Sequence, residues 1–128
     1  MKDESTVQQE IQIAARHFNC TLLRNNNGAA IDGTGRMIRY GLGNTSPKQQ
    51  FASSDLIGIT KVTITQEMVG KVVGIFTAIE VKKEDWKHDK KLDEREIKQH
   101  NFIEWVRLNG GLADFVNQVD SLNELLRY

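Results

Sequence analysis

Glu80 and Lys82 stand two positions apart at the end of an apolar run that begins near Val72. On a β-strand such residues project from the same face, and their Cα atoms lie about 6.6–6.8 Å apart. One acidic and one basic side chain can then converge on a single point, a metal-bound phosphate for instance. The run itself reads as a strand. Val73, Ile75, Thr77, Ile79 and Val81 form one face, and Val72, Gly74, Phe76, Ala78, Glu80 and Lys82 form the other. A strand apolar on both faces is expected to be central and covered on each side. Charges at the end of such a strand need a partner or a ligand. Taken alone, a Glu-x-Lys pair is weak evidence, because strand ends often carry Glu and Lys simply as a solvated ion pair, so the surrounding elements have to decide.

Composition narrows the field. The 128 residues suit one domain, spanning 1–128, with a single core. Lys plus Arg and Asp plus Glu both total 17, so net charge draws no polyanion, and a nucleic-acid partner has to be held by a local patch. The lone Cys20 excludes an intramolecular disulfide and a cysteine-based zinc site, and it is expected to pack as a small apolar residue. His17, His88 and His100 lack ligand-like spacing. With no signal peptide and no membrane-spanning run, the chain is expected to be soluble, intracellular and off the membrane.

The elements that must position the pair follow from pattern. Ser5 with Gln8 offers a capping box, and Val7, Ile11, Ala14 and Phe18 recur at helical spacing, so a helix is expected over about 5–18. Glu10 lies beside that stripe, facing the core margin. Asn19 ends the helix, and Thr21–Arg24 reads as a short strand. The stretch 25–50 is rich in turn-formers, among them Asn25-Asn26-Asn27-Gly28, Asp32-Gly33 and Gly41-Leu42-Gly43-Asn44, and Pro47 closes it. Within it, Arg36–Tyr40 is either an exposed strand or a loop. Arg24, Arg36 and Arg39 are its candidate phosphate donors. Ser53–Ile59 is the next strand, with Val62–Thr65 extending or pairing with it. Asp55 opens that strand and Glu80 closes the following one, so the two carboxylates meet if the strands run antiparallel. The mixed-charge stretch from Lys83 to Lys98 reads mostly as solvated loop. Asp93 with Glu96 marks a helix start and Asn109-Gly110-Gly111 its stop. Gln99, Phe102 and Val106 share the core-facing side, Leu112–Val119 reads as a last strand, and Ser121 with Glu124 caps a last helix.

In this order, a helix with Glu10, strands with Asp55 and Glu80-x-Lys82, a helix with Gln99, a strand and a helix, the chain resembles the PD-(D/E)xK nuclease superfamily. More narrowly, Ser54-Asp55-Leu56-Ile57-Gly58, Ala78-Ile79-Glu80-Val81-Lys82-Lys83, Gln99 and Asn109-Gly110-Gly111 resemble the virus-type replication-repair nuclease (VRR-NUC) family, in a free-standing, phage-type form. The resemblance covers roughly Val7 to Leu126, and it departs from the superfamily where Ser54 replaces a frequent Pro before the Asp. It implies an α/β fold with an α-β-β-β-α-β core, a central mixed sheet flanked by helices. It also implies a Mg²⁺- or Mn²⁺-dependent DNA endonuclease that acts on branched DNA such as Holliday junctions, as a homodimer, in the cytoplasm of a host cell.

By the same resemblance Asp55 and Glu80 are the principal metal ligands, the Val81 carbonyl is a third, and Glu10 orients water or holds a second ion. Lys82 orients the attacking water or stabilises charge at the phosphate, and its role as general base stays open. Gln99 hydrogen-bonds to Lys82, water or phosphate, and Lys83 contacts phosphate. Hydrolysis of a phosphodiester suits such a set, because a hard cation held by carboxylates both activates water and offsets negative charge. Two readings from other classes stand beside it: a noncatalytic nucleic-acid-binding module on the same fold, and an assembly protein whose charges form ordinary surface pairs.

Overall fold

The computed structural model describes residues 1–26, 28–44, 46, 48 and 53–126. The turn-formers Asn27 and Pro47 lie outside them. The fold is mixed α/β, and the chain divides into two compact parts, Met1–Thr60 and Lys61–Tyr128.

In the first part, helix α1 (Glu4–Ala15) starts two residues earlier than the Ser5 box implies. Asp3 is the cap, its carboxylate accepting from the Thr6 N–H at 2.8 Å. An acid at this position also complements the positive end of the helix, and hydrogen bonding pulls the Asp3 pKa down. A single 3₁₀ turn (Arg16–Phe18) follows, and Asn19 ends it in the left-handed conformation at φ 56°, which Asn tolerates better than most residues. The inward face of α1 is not the apolar stripe. Gln8, Gln12 and Ala15 are half-buried while Val7, Ile11 and Phe18 are exposed. Gln12 makes the difference, because its amide Nε2 donates to the Leu22 carbonyl at 3.1 Å and ties that face to the next strand.

Strand β1 (Cys20–Arg24) pairs antiparallel with the strand Leu56–Thr60. Between them in sequence, β2 (Gly28–Ile31) and β3 (Met37–Tyr40) form an antiparallel hairpin, which makes β4 the strand Leu56–Thr60. Arg36–Tyr40 is therefore strand rather than loop from Met37 onward. Its turn is organised by Asp32, whose Oδ1 accepts from the Thr34 N–H and hydroxyl and from the Arg36 N–H. Gly58 sits opposite Leu22 on β4, where an added Cβ would collide with the Thr21 carbonyl, so only glycine fits. The residues Val62–Thr65 form no strand.

The second part is a β-α-β unit. Strand β5 (Thr77–Val81), helix α2 (Glu94–Leu108) and strand β6 (Leu112–Val116) follow in order, and β5 pairs parallel with β6. Parallel neighbours require such a crossover. Strand β5 is shorter than the apolar run that contains it. Its partner cannot begin before Leu112, because Asn109, Gly110 (φ 85°) and Gly111 form the turn out of α2. Residues 71–76 thus have no ladder to join, and Gly74 adds no side chain to hold them. One face of β5 is also open: Thr77, Ile79 and Val81 are exposed, while Ala78 and Glu80 are half-buried. Among the described residues the strands pair two by two, in three two-stranded ladders.

The core of this part is Ile103 and Val106 from α2 with Ala113, Phe115 and Val116 from β6. Gly111 lets α2 approach closely, since a Cβ there would lie 2.6 Å from Val106 Cγ1 and 2.7 Å from the Phe76 carbonyl. Strand β6 stops at Val116 rather than Val119. Asn117 turns its amide back to the Glu84 and Trp86 carbonyls at 3.0 and 2.7 Å, and helix α3 (Val119–Leu126) begins two residues later. Ser121 is therefore inside α3 and not its cap. Among the described residues no helix is long and apolar enough to cross a membrane.

Candidate functional site

Glu80 is the fourth residue of β5 and Lys82 follows its last. Both side chains emerge on the half-buried side, toward α2, as their spacing requires. They do not pair directly. Gln99 stands between them: its Nε2 donates to Glu80 Oε1 at 2.7 Å, and its Oε1 accepts from Lys82 Nζ at 2.9 Å. The chemistry of the neighbours fixes which way this amide points. A carboxylate only accepts and an ammonium only donates, so the reversed amide would oppose both. Gln99 thus keeps an acid and a base at a set separation while satisfying one hydrogen bond of each.

Lys82 has a second acceptor, Glu96 Oε2, at 3.2 Å. Its ammonium also lies 5.2 Å from the centre of the Phe115 ring and 6.0 Å from that of Trp86, within range of a cation–π attraction. Glu96 is 4 % exposed, the one buried charged residue among those described. Its Oε2 accepts from Trp86 Nε1 at 2.7 Å, and its Oε1 pairs with Lys90 Nζ at 2.9 Å and accepts from the Asp93 N–H at 3.2 Å. The bonds from Lys90 and Trp86 pull its pKa far below the ordinary carboxylate range, against the opposing effect of burial, with smaller help from Asp93 and Lys82. A chain of alternating charge results: Glu80, Gln99, Lys82, Glu96, Lys90. It lines a cleft of about 680 Å³ that Lys83, Lys87 and Arg95 also border. Glu80 and Gln99 line a second cleft of about 350 Å³, with Lys98, Phe102 and Ile103.

The mixed-charge stretch after β5 is consequently ordered around a carboxylate. Its Trp86 is half-buried, packed at 4.9 Å between ring centres against Phe115. From its sequence context Glu96 is only a helix-capping residue. It is one, with Asp93 accepting from the Glu96 N–H at 2.8 Å, but capping accounts for one of its four side-chain partners. Trp86, a lone aromatic among charges at the foot of that helix, was the available signal.

The other expected site residues are distributed over both parts of the chain. Glu10 is exposed on α1 and ion-paired with Lys2 at 2.8 Å, pointing to solvent rather than to the core margin. Asp55 is exposed at the mouth of β4, and Asn25 fixes its backbone by donating to the Asp55 carbonyl at 2.8 Å and, through its side chain, to the Ser54 carbonyl at 2.8 Å. Glu10 and Asp55 belong to the first part of the chain, and Glu80, Val81, Lys82 and Gln99 to the second. Val81 ends β5 with its side chain exposed. Arg24 is exposed at the end of β1, Arg36 is exposed just before β3, and Arg39 is half-buried within β3, across from Ala29. Lys83 is exposed on the rim of the larger cleft. His88 approaches the Phe115 carbonyl at 3.1 Å, and His17 and His100 are exposed. Among the described residues no three His, Cys, Asp or Glu side chains are grouped to hold an ion. Comparison of the chain with protein-family models, curated proteins and solved structures finds no match.

Proposed function

We propose that this chain is a divalent-metal-dependent DNA endonuclease of the PD-(D/E)xK type, akin to the VRR-NUC family, acting on branched DNA as a homodimer. The observation that carries the reading is the Gln99 bridge between Glu80 and Lys82. A Glu-x-Lys pair that served only as a solvated ion pair would need no third residue to space it. Here a neutral amide from a neighbouring helix holds the acid and the base apart, beside a cleft bordered by Lys83, Lys87 and Arg95 as well as by Asp85 and Asp93.

The donor chemistry at Glu80 fits a hard cation. Mg²⁺ is commonly held by one or two carboxylates together with substrate phosphate, and Glu80 offers one carboxylate, with the Val81 carbonyl next to it. The sequence resemblance assigns the second carboxylate to Asp55. The ion would supply charge stabilisation at the phosphate and a nucleophile at neutral pH. Lys82 would donate to a phosphate oxygen or to the attacking water, with Gln99 fixing its distance from Glu80. Lys83, Lys87 and Arg95 would hold flanking phosphates. The arginines Arg24, Arg36 and Arg39 would extend the contact along the nucleic acid.

Labelled linear, flapped and four-way DNA, incubated with Mg²⁺ or Mn²⁺ and with EDTA, tests the proposal. Cleavage is expected only with the metal and preferentially on branched substrate, and Glu80→Ala and Lys82→Ala should each lower it by about a hundred-fold or more while still folding. Asp55→Asn should lose cleavage as well. Metal-independent DNA binding with no cleavage of any substrate would replace the enzyme with a noncatalytic binding module. Light scattering with and without a four-way junction reads the stoichiometry, and a strict monomer that cuts linear duplex equally well would remove the junction preference.

A further inference from the structure

Glu96 has no place in the resemblance, yet more of the local structure converges on it than on Glu80. As the third helical residue of a capping box it would need one oxygen, and a glutamine would serve that position equally. The protein instead places both oxygens under the loop from Lys83 to Leu92, where they meet an indole N–H and two ammonium groups. Burying a carboxylate is unfavourable unless it is paired and hydrogen-bonded, so a cap alone is a poor reason for it.

What the position gives is control of Lys82. Glu96 and Gln99 are three residues apart on α2 and so neighbours on one helical face. Together they hold the Lys82 ammonium at two points, 3.2 and 2.9 Å away. A lysine head at the end of its flexible four-carbon stem is thereby fixed to a rigid helix, with one of its three N–H groups left for a ligand. Gln99 alone would let it swing about a single bond. Building on the reading of Lys82 as the residue that contacts the scissile phosphate, we infer that Glu96 is the positioning residue for Lys82. It touches no substrate itself; it acts by holding the ammonium in the cleft.

Glu96→Gln tests this role: it keeps the side-chain length and one oxygen for the capping box, removes the charge, and turns an N–H₂ toward Trp86 Nε1 and Lys82 Nζ, which Oε2 accepts from in the wild type. Two readouts are needed. In ¹⁵N spectra of lysine-labelled protein, the held ammonium should give a slowly exchanging Nζ signal, assigned by its loss in Lys82→Met, and Glu96→Gln should abolish it. In the cleavage assay, Glu96→Gln should lower kcat by about ten- to a hundred-fold with KM within about two-fold, and add nothing further to Lys82→Met. Absence of a Lys82 signal in the wild-type protein, or its survival in Glu96→Gln, overturns the inference. So does an unchanged kcat, or an equal loss in both backgrounds, which would make Glu96 merely structural. If the signal behaves as expected and no DNA is cut under any condition, the hold on Lys82 stands and the nuclease reading falls. Should Glu96→Gln not fold, Glu96→Asp, which keeps the charge and draws it back by one methylene, decides by the same two measurements.

Discussion

Replacing Gln99 with Leu removes both arms of the bridge and keeps roughly the same volume. Each arm is a hydrogen bond to a charged group, worth about 1.5–3 kcal/mol, at 2.7 Å to Glu80 and 2.9 Å to Lys82. Neither loss is complete. Water can reach the half-buried Glu80, and Lys82, whose side chain is 15 % exposed, keeps Glu96. The new leucine also gains apolar contact in a cleft already lined by Phe102 and Ile103, worth up to about 1 kcal/mol. The net destabilisation should be about 2 kcal/mol, or a melting point lower by about 8 °C at about 4 °C per kcal/mol. In a Lys82→Met background the same substitution should lose about half its effect, a coupling of about 1 kcal/mol. Thermal melts of the four proteins in this cycle measure it. A Gln99→Leu protein that melts at or above the wild-type temperature, or effects that simply add, would refute the bridge as a stabilising contact.

Val106 is fully buried, so Val106→Ala should lower stability by about 2–3 kcal/mol in urea titrations, from two lost methyl equivalents plus the cavity. Gly111→Ala should destabilise by about 1–3 kcal/mol, because the new methyl meets Val106 and the Phe76 carbonyl; a neutral result would mean that the turn yields easily. Glu96 has a folded pKa depressed below the ordinary value of 4.5. Its contribution to stability should therefore be fully present above about pH 4.5 and be lost as pH falls toward the folded pKa, where the folded state must also take up the proton. The melting-point gap between wild type and Glu96→Gln is expected to be widest near neutrality and to narrow in acid; a gap that grew on acidification would reverse the sign and contradict the pairing.

Three of the five residues in the chain Glu80, Gln99, Lys82, Glu96 and Lys90 can be read from spacing. Glu80 and Lys82 share a face by strand alternation, and Gln99 faces inward by helical periodicity with Val106. Glu96 is harder to read, because its sequence context already accounts for it as a helix cap; the folding of the Trp86 indole onto it reveals the second use. The apolar stripe of α1 misled for a related reason. Val7, Ile11 and Phe18 have the right spacing, but a single amide-to-carbonyl bond from Gln12 turned another face toward β1. Strand β5 is shorter than its apolar run because a ladder needs a partner of equal length, and the start of β6 is set by the glycine turn directly before it, far along the sequence from β5. Local pattern carries the local facts, while partner length and competing polar contacts belong to the folded chain.

The bonds that build the charged cluster close loops nested one inside another. Trp86 and Glu96 are 10 residues apart, Lys82 and Gln99 are 17, and Glu80 and Gln99 are 19. Chain entropy penalises closure only by the logarithm of loop length, and once the inner ring has formed the outer two need little further ordering. The cluster should therefore close as a zipper from Trp86 outward. A single proteolytic nick between Trp86 and Leu92 would therefore open all three loops at once, while β5 keeps β6 as its partner and α2 stays packed on β6.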